Sequence, residues 1–302
     1  MSPIEYGLED LKKTFGLRSF AKLIGVQPRT LAFILYKLPD SRKYLPKKIP
    51  KKNGDFRQVY VPHDLLKTFQ KKTAQLLVNC ERDIADTLGI KKSVSHAFKS
   101  DHSILTNASV HRNKEYVLNI DLKNFFDAIH FGRIFGYLTK NKHYSLNANV
   151  AKVIAHMACH NGVLVQGSPL SPVISNIVAN VLDSRMLVLC KKYRCKYSRY
   201  ADDITISTRS VTFPEKLAFE TNSVWQAGDE LISLIERSGF ELNTKKTRMH
   251  YWQSRQSVTN LTVNRIVNIR RTKFKRIRAQ VNQFTRDGVF LDDKKIVGDR
   301  KN

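Results

Sequence analysis

Apolar positions in the first 40 residues (Leu11, Phe15, Phe20, Leu23, Leu31, Ile34, Leu35) fall at irregular helical spacing and predict a run of short helices. Within them, Phe20–Tyr36 reads as helix, Gly-Val step, helix. DNA-reading modules share that look, but a plain helical scaffold is the commoner outcome. Residues 41–55 carry two prolines and an Asn-Gly step, which predict extended chain and a turn. Phe56–Val61 alternates like a strand and stops at Pro62. Leu66, Phe69, Leu76, Leu77, Cys80, Ile84 and Leu88 then share one face of a helix over Leu65–Leu88, with Gly89 as its stop. Tyr116–Ile120 is a short apolar run, read as a buried strand ending at Asp121. Ser145–His160 predicts a helix that stops at Asn161-Gly162, with Val150, Val153, Ile154 and Met157 turned inward. A further helix is expected from about Val173 to Lys191, and two strand-like halves over Lys196–Ser207 flank Ala201-Asp202-Asp203. Helix, strand, helix, helix and hairpin in that order predict an α+β fold rather than a doubly wound sheet.

Charge changes the picture. The 302 residues hold 52 Lys+Arg against 26 Asp+Glu, a net charge of +26, while 42% hydrophobic and 10% aromatic residues leave ample material for a core. A globular chain this basic is built to meet a polyanion. An anionic membrane surface is the other common partner, but no apolar run in the sequence reads as approaching the ~20 residues that span a bilayer. The start lacks the apolar core of a signal peptide, and Cys80, Cys159, Cys190 and Cys195 match no metal knuckle. They are expected reduced and mostly buried, in a cytoplasmic protein. Cys159-His160 resembles a ligand pair, although core packing is the expectation in apolar helical surroundings.

In so basic a chain, carboxylates that interrupt apolar strands stand out. Asp121 closes one strand, and Asp202 and Asp203 sit at a hairpin turn. Buried carboxylates need partners. Three brought together would repel, and divalent cations with a taste for oxygen relieve such repulsion. Two ions ~3.5–4 Å apart can serve an in-line phosphoryl transfer. Taken alone, Asp202-Asp203 could equally be an ordinary polar turn.

YVLNIDLKNFF, VQGSPLSPVISN and RYADD follow one another in that order. Together they resemble motifs A, B and C of the reverse transcriptases, and the likeness covers roughly residues 40–280. The resemblance implies a right-hand polymerase fold of fingers, palm and thumb, here with a helical N-terminal extension, and RNA-templated DNA synthesis from deoxynucleoside triphosphates with two Mg²⁺ ions, Mn²⁺ being able to substitute. Carried over by position, Asp121, Asp202 and Asp203 match the metal-binding carboxylates. Phe126 falls where the family has a bulky gate against the ribose 2′-hydroxyl, with core packing as the simpler reading. Gln166 and Gly167 match the loop that approaches the incoming nucleotide. Lys246 resembles a proton donor to pyrophosphate, with Lys245 as its neighbour. Arg57 and Lys99 sit where relatives hold the triphosphate, although Arg is usual at the latter place. The implied domains are residues 1–45 as the extension, 46–115 with part of 128–165 as fingers, 116–255 as palm, and 256–302 as the start of a thumb.

NASVH (Asn107–His111) looks like the NAxxH element of bacterial retron reverse transcriptases. SVTNLTVNR (Ser257–Arg265) stands where retron enzymes carry VTG, with Asn260 in place of Gly. Retron membership implies binding of a structured non-coding RNA, with Asn107 and His111 as candidate contacts, although capping by Asn107 and packing by His111 is the simpler reading. It also implies priming from an internal guanosine 2′-hydroxyl, a branched RNA–DNA product (msDNA), and anti-phage defence alongside a toxin or effector protein or a fused effector domain. Arg270–Phe284 predicts a basic helix along the template–product duplex, with Arg270, Arg271, Lys273 and Arg276 as phosphate contacts. Its apolar stripe is Phe274, Ile277, Val281 and Phe284. The residues after it predict a short strand and a polar tail, so the stripe is expected to stay uncovered within residues 1–302 and the thumb to be incomplete. Rival readings are a defence reverse transcriptase without a branched primer, an RNA-binding scaffold that has lost catalysis, and a group II intron maturase.

Overall fold

The computed structural model describes residues 4–50, 54–90, 92–292 and 295–297, with backbone alone for the last five of these. Four short helices open it, Leu8–Lys12, Leu17–Leu23, Pro28–Tyr36 and Asp40–Lys43. Leu11, Phe20, Leu31 and Ile34 are buried in the main core, so the N-terminal helices are packed scaffold; Phe15, expected on the same stripe, is exposed. Tyr44–Pro50 pairs antiparallel with Phe56–Pro62. Of the turn expected between these strands, Asn53 lies outside the described residues. The long helix runs Asp64–Thr87, capped by the His63 side chain accepting from Leu65 N, and Gly89 takes φ +63 just after it.

The central sheet has the order Glu241–Leu242, Tyr116–Lys123, Asp203–Thr208, Lys196–Tyr200, with Arg248–Tyr251 pairing the first half of Tyr116–Lys123. Every pairing is antiparallel, which matches the α+β expectation. Strand alternation separates the two faces. Leu118, Ile120, Leu122, Ile204 and Ile206 enter the main core, shared with helices Asp64–Thr87, Ala148–Ala158, Ser171–Lys192 and Asp229–Arg237. Val117, Asn119 and Asp121, with Asp203, Thr205 and Ser207, face the other way.

That second face carries its own small cluster of Ala108, Val117, Val258, Leu261 and Val263. Helix Ile104–Val110, which holds Asn107–Val110 of NASVH with His111 as its C-cap, and hairpin Ser257–Val258/Leu261–Thr262 cover it together. The hairpin turn is Thr259-Asn260, with φ +45 and +66, as a two-residue turn of this hand requires. Asn tolerates that region, so Asn260 in place of Gly preserves the turn. Thr259 Oγ1 donates to Ile104 O at 3.2 Å, fastening the turn to the helix start.

Three expectations need correction. The Ser145–His160 helix is shorter, Ala148–Ala158. Asn161 and Gly162 at φ +51 and +80 do not merely stop it. They turn a hairpin whose strands are Cys159–His160 and Val163–Leu164. The Tyr116 strand, in turn, runs three residues past Ile120, so Asp121 lies within the ladder. One helix among the described residues, Ser171–Lys192, is long and apolar enough to cross a membrane, contrary to the reading of the sequence. Twelve of its side chains are buried in this structure, which accounts for its apolarity. The four cysteines are free, with Cys80, Cys190 and Cys195 buried.

Candidate active site

Antiparallel register sets Asp121 directly opposite Asp203. Opposed residues share a face, so the two carboxylates meet without any long-range search. Asp202 joins them from the two-residue turn Ala201-Asp202, where Ala201 holds φ +56. Leu122 N donates to Asp202 O at 3.0 Å and ties the turn to the neighbouring strand. Asp121 is only 6% exposed. Lys246 Nζ donates to its Oδ2 at 2.9 Å and Asn243 Nδ2 to its Oδ1 at 3.2 Å. Asn243 N also donates to Asp121 O at 2.8 Å. Sequence reasoning passed over Asn243, although it opens the segment that carries Lys246.

The carboxylates crowd one another. Desolvation in the cleft, then Asp202 and Asp121, push the Asp203 carboxyl up to about 6 against the pull of Lys246. Asp203 keeps solvent contact, so its oxygens stay accessible. Asp202 is raised as well, by desolvation first and by Asp121; its own backbone N–H, Lys246 and Arg57 oppose the rise. The Lys246 ammonium is in turn held charged by its bond to Asp121.

A cleft of about 590 Å³ opens over this group. Arg57, Phe126, Gln166 and Lys246 line it with Asp121 and Asp202, so six of the expected residues meet in one cavity. Tyr60 and His160 line it too, with their rings 4.9 Å apart. Of the Cys159-His160 pair, Cys159 packs partly buried against the main core, as expected, while His160 forms part of the cleft wall. Phe126 is half-buried, edge-on to Phe125 at 5.4 Å, and the deeper Phe125 stacks on Phe240. Phe125 is core; Phe126 presents a ring to the cavity.

Gln166 and Gly167 bind the opposite wall. Tyr60 N donates to Gln166 O at 2.8 Å. Gly167 takes φ +109, and a Cβ there would lie 2.7 Å from Tyr60 O. Gly167→Ala is therefore expected to force the loop off the Phe56–Pro62 strand and to lower nucleotide incorporation at least about tenfold with the fold intact. Single-nucleotide incorporation measured beside a melting curve checks this; wild-type kinetics would refute it.

Two placements differ from expectation. Lys99 lies outside the cleft, and its ammonium donates to Ser93 Oγ at 2.7 Å. Asn107 and His111 are 1% and 0% exposed, so neither side chain is open to an outside partner. They share one helical face, as their spacing predicts, but the face is turned onto the sheet. His111 Nε2 and Nδ1 lie 2.7 Å from Ser198 Oγ and Ser207 Oγ, and Ser198 Oγ donates to Asn107 Oδ1 at 2.6 Å. Arg270, Arg271, Lys273 and Arg276 are exposed on or beside helix Arg271–Asp287. Phe274, Ile277, Val281 and Phe284 on the same helix are 40–56% exposed.

Comparison with known proteins decides the family. The profile described as Reverse transcriptase (RNA-dependent DNA polymerase) matches residues 49–276. The chain belongs to the reverse transcriptases. Among curated relatives, the retron Ec86 reverse transcriptase of Escherichia coli is 31% identical over 88% of this chain and 77% of its own length. The retron Mx65 reverse transcriptase of Myxococcus xanthus is 31% identical over 81% of this chain, which spans 57% of that relative. These place the reverse transcriptase within the retron branch. A solved structure of telomerase from Candida albicans, in complex with a TWJ fragment of telomeric RNA, aligns with a TM-score of 0.50 at 15% identity, over 82% of this chain and 52% of that one. At that identity the likeness concerns the fold alone, fingers, palm and thumb. Members of the family use divalent metal ions.

Proposed function

We propose that this protein is an RNA-directed DNA polymerase that binds a structured non-coding RNA and copies part of it into DNA. The product is a branched RNA–DNA molecule used in anti-phage defence, in the cytoplasm and beside an effector protein or domain. The observation that carries the polymerase reading is the cross-strand pair Asp121–Asp203 with Asp202 at the turn beside it, at the edge of a cleft that Asp121 and Asp202 line together with Arg57, Phe126, Gln166 and Lys246. We assign residues 46–115 with part of 128–165 to fingers, 116–255 to palm, 256–302 to the start of the thumb and 1–45 to the extension.

Among the described residues no three Asp, Glu, His or Cys side chains are already gathered at ligand distance. The donor set nonetheless fits hard divalent cations, because it is all carboxylate oxygen, and desolvation first, then neighbouring carboxylate charge, push Asp202 and Asp203 toward protonation. Asp121, Asp202 and Asp203 would hold two Mg²⁺ ions, which supply activation of the primer hydroxyl and charge neutralisation at the departing pyrophosphate. Lys246 acts as the stand-in counter-ion of Asp121 and, once released from it, is the proton donor to pyrophosphate. Arg57 binds the triphosphate. Gln166 and Gly167 shape the nucleotide side of the cleft. Arg270, Arg271, Lys273 and Arg276 hold nucleic-acid phosphates, an electrostatic grip that weakens steeply with salt.

Phe126 excludes the ribose 2′-hydroxyl. Phe126→Ala is expected to raise ribonucleotide over deoxynucleotide incorporation by about tenfold or more, since a steric clash of this kind is worth ~1–3 kcal/mol. An unchanged ratio in a folded, active variant would return Phe126 to core packing. The retron reading is tested by purifying the protein from its host, sequencing the nucleic acid it carries and treating that with a debranching enzyme. An RNA–DNA species that shortens on debranching supports it; linear DNA alone would favour a defence enzyme without a branched primer.

A further inference from the structure

We propose that Arg199 positions the carboxylate turn for nucleotidyl transfer by clamping the Ala201 carbonyl to the Ser171–Lys192 helix. The inference rests on reading Asp202 and Asp203 as metal ligands. Arg199 is the largest fully buried side chain among the described residues, with 0% exposed. It points into the main core, away from the carboxylates, because it lies opposite Ile204 in the ladder. Its Nε and Nη2 donate to the two oxygens of Asp183 at 2.8 and 2.7 Å, a two-pronged bond that fixes the guanidinium plane. Tyr197 Oη donates to Asp183 Oδ1 at 2.6 Å and holds the acceptor in place. The remaining donor, Nη1, reaches Ala201 O at 3.1 Å and Asn176 Oδ1 at 3.4 Å.

A buried ion pair is a poor device for stability, because two apolar side chains of similar volume usually hold a core as well or better. What they cannot do is donate to a carbonyl. The acceptor here belongs to Ala201, a residue with a Cβ held at φ +56, where the left-handed conformation costs roughly 1–2 kcal/mol. The next two residues in the chain are Asp202 and Asp203. The clamp thus holds the one strained residue of the turn from the core side, while Leu122 N holds Asp202 O from the strand side.

The same contacts register the turn against the rest of the cleft. Helix Ser171–Lys192 starts just after the Gln166-Gly167 loop, and Ser171 Oγ donates to Val165 O. Asn176 Nδ2 donates to Ala97 O, and Ser95 Oγ donates to Asn176 Oδ1. Backbone bonds from His96 N to Arg199 O and from Arg199 N to Val94 O, both 2.8 Å, close the junction. One guanidinium therefore fixes how far the carboxylate turn stands from the loop across the cavity.

Two variants test this on the full chain. Arg199→Lys keeps the charge but loses the planar fork. The double variant Arg199→Met with Asp183→Leu removes the pair and leaves no unpaired charge in the core. Single-turnover incorporation is measured on a primed RNA template across a Mg²⁺ titration, with melting temperature and template affinity alongside and Asp202→Asn as control. The expected result for the double variant is a folded protein with near wild-type template affinity, a rate down about 10–100-fold, and a Mg²⁺ midpoint raised by at least severalfold, as second-sphere losses usually give. Arg199→Lys should shift the midpoint the same way. A folded double variant with the wild-type rate and midpoint would overturn the proposal. So would an unfolded double variant, since the pair would then serve the fold rather than the turn. An active Asp202→Asn control would instead overturn the metal reading on which the proposal stands.

Discussion

Asp202→Asn and Asp203→Asn are each expected to cut primer extension at least about a hundredfold while leaving RNA affinity nearly unchanged. The asymmetry follows from a division of labour. In the proposed mechanism, carboxylates on the sheet do the chemistry, and losing one metal ligand should cost several kcal/mol of barrier. In the same proposal, arginines and lysines far from the turn hold the phosphates. A second signature separates this loss from misfolding. The folded Asp203 carboxyl stands at about 6, above its usual range, so ionising it at neutral pH opposes folding. That cost is absent at low pH and develops as pH rises through the window between the usual carboxylate value and about 6. Asp203→Asn removes it, so the variant should melt no lower than wild type at pH 7 in metal-free buffer. A variant that kept more than about a hundredth of the activity, or lost activity only in step with its melting temperature, would contradict the assignment.

His111→Ala carries the second large effect, on stability. The imidazole is fully buried, and burial, with smaller pushes from Lys114 and His96, drives its pKa down to about 3. It is therefore neutral. Since Ser198 gives its hydroxyl proton to Asn107, its oxygen accepts from His111 Nε2–H, and Nδ1 accepts from Ser207. Removing the ring takes away the acceptor of the Ser207 hydroxyl and the donor to Ser198 Oγ, and leaves a cavity on the sheet. The expected cost is about 3 kcal/mol. Because the folded value lies below the usual 6.5, the contribution is present above that pH and lost as pH falls toward 3. His96, driven to about 4, acts in the same direction. Melting curves from pH 7 to 4 should fall for wild type and fall less for His111→Ala. Extension on a generic primed template and on the cognate RNA should drop equally. A selective loss on the cognate RNA at unchanged stability would restore the RNA-contact reading.

Asp121 and Asp202-Asp203 were legible in the sequence because carboxylates that interrupt apolar strands are anomalous locally, and register does the rest. The helices at Asp64–Thr87 and Ser171–Lys192 were legible from one apolar face or one long apolar run. Asn161-Gly162 carried two meanings, helix stop and hairpin turn, and only the packing of Cys159–His160 on Val163–Leu164 selects the second. Asn107 and His111 gave the right shared face and the wrong partner. The small polar residues Ser198 and Ser207, spaced along the two strand-like halves, were the signal that a polar relay would land there. Helices Phe131–Lys140 and Asp229–Arg237 and hairpin Ala218–Thr221/Val224–Ala227 went unassigned. Arg199 and Asp183 are 16 residues apart in different elements, and nothing in either segment announces the pair.

The most direct test of the account is extension of a primer on an RNA template by the purified protein, followed nucleotide by nucleotide with and without Mg²⁺. The account predicts DNA complementary to the RNA, made from deoxynucleotides, stopped by chelation and restored by Mg²⁺. A folded protein that binds the primed RNA yet adds no nucleotide at any Mg²⁺ concentration would contradict it.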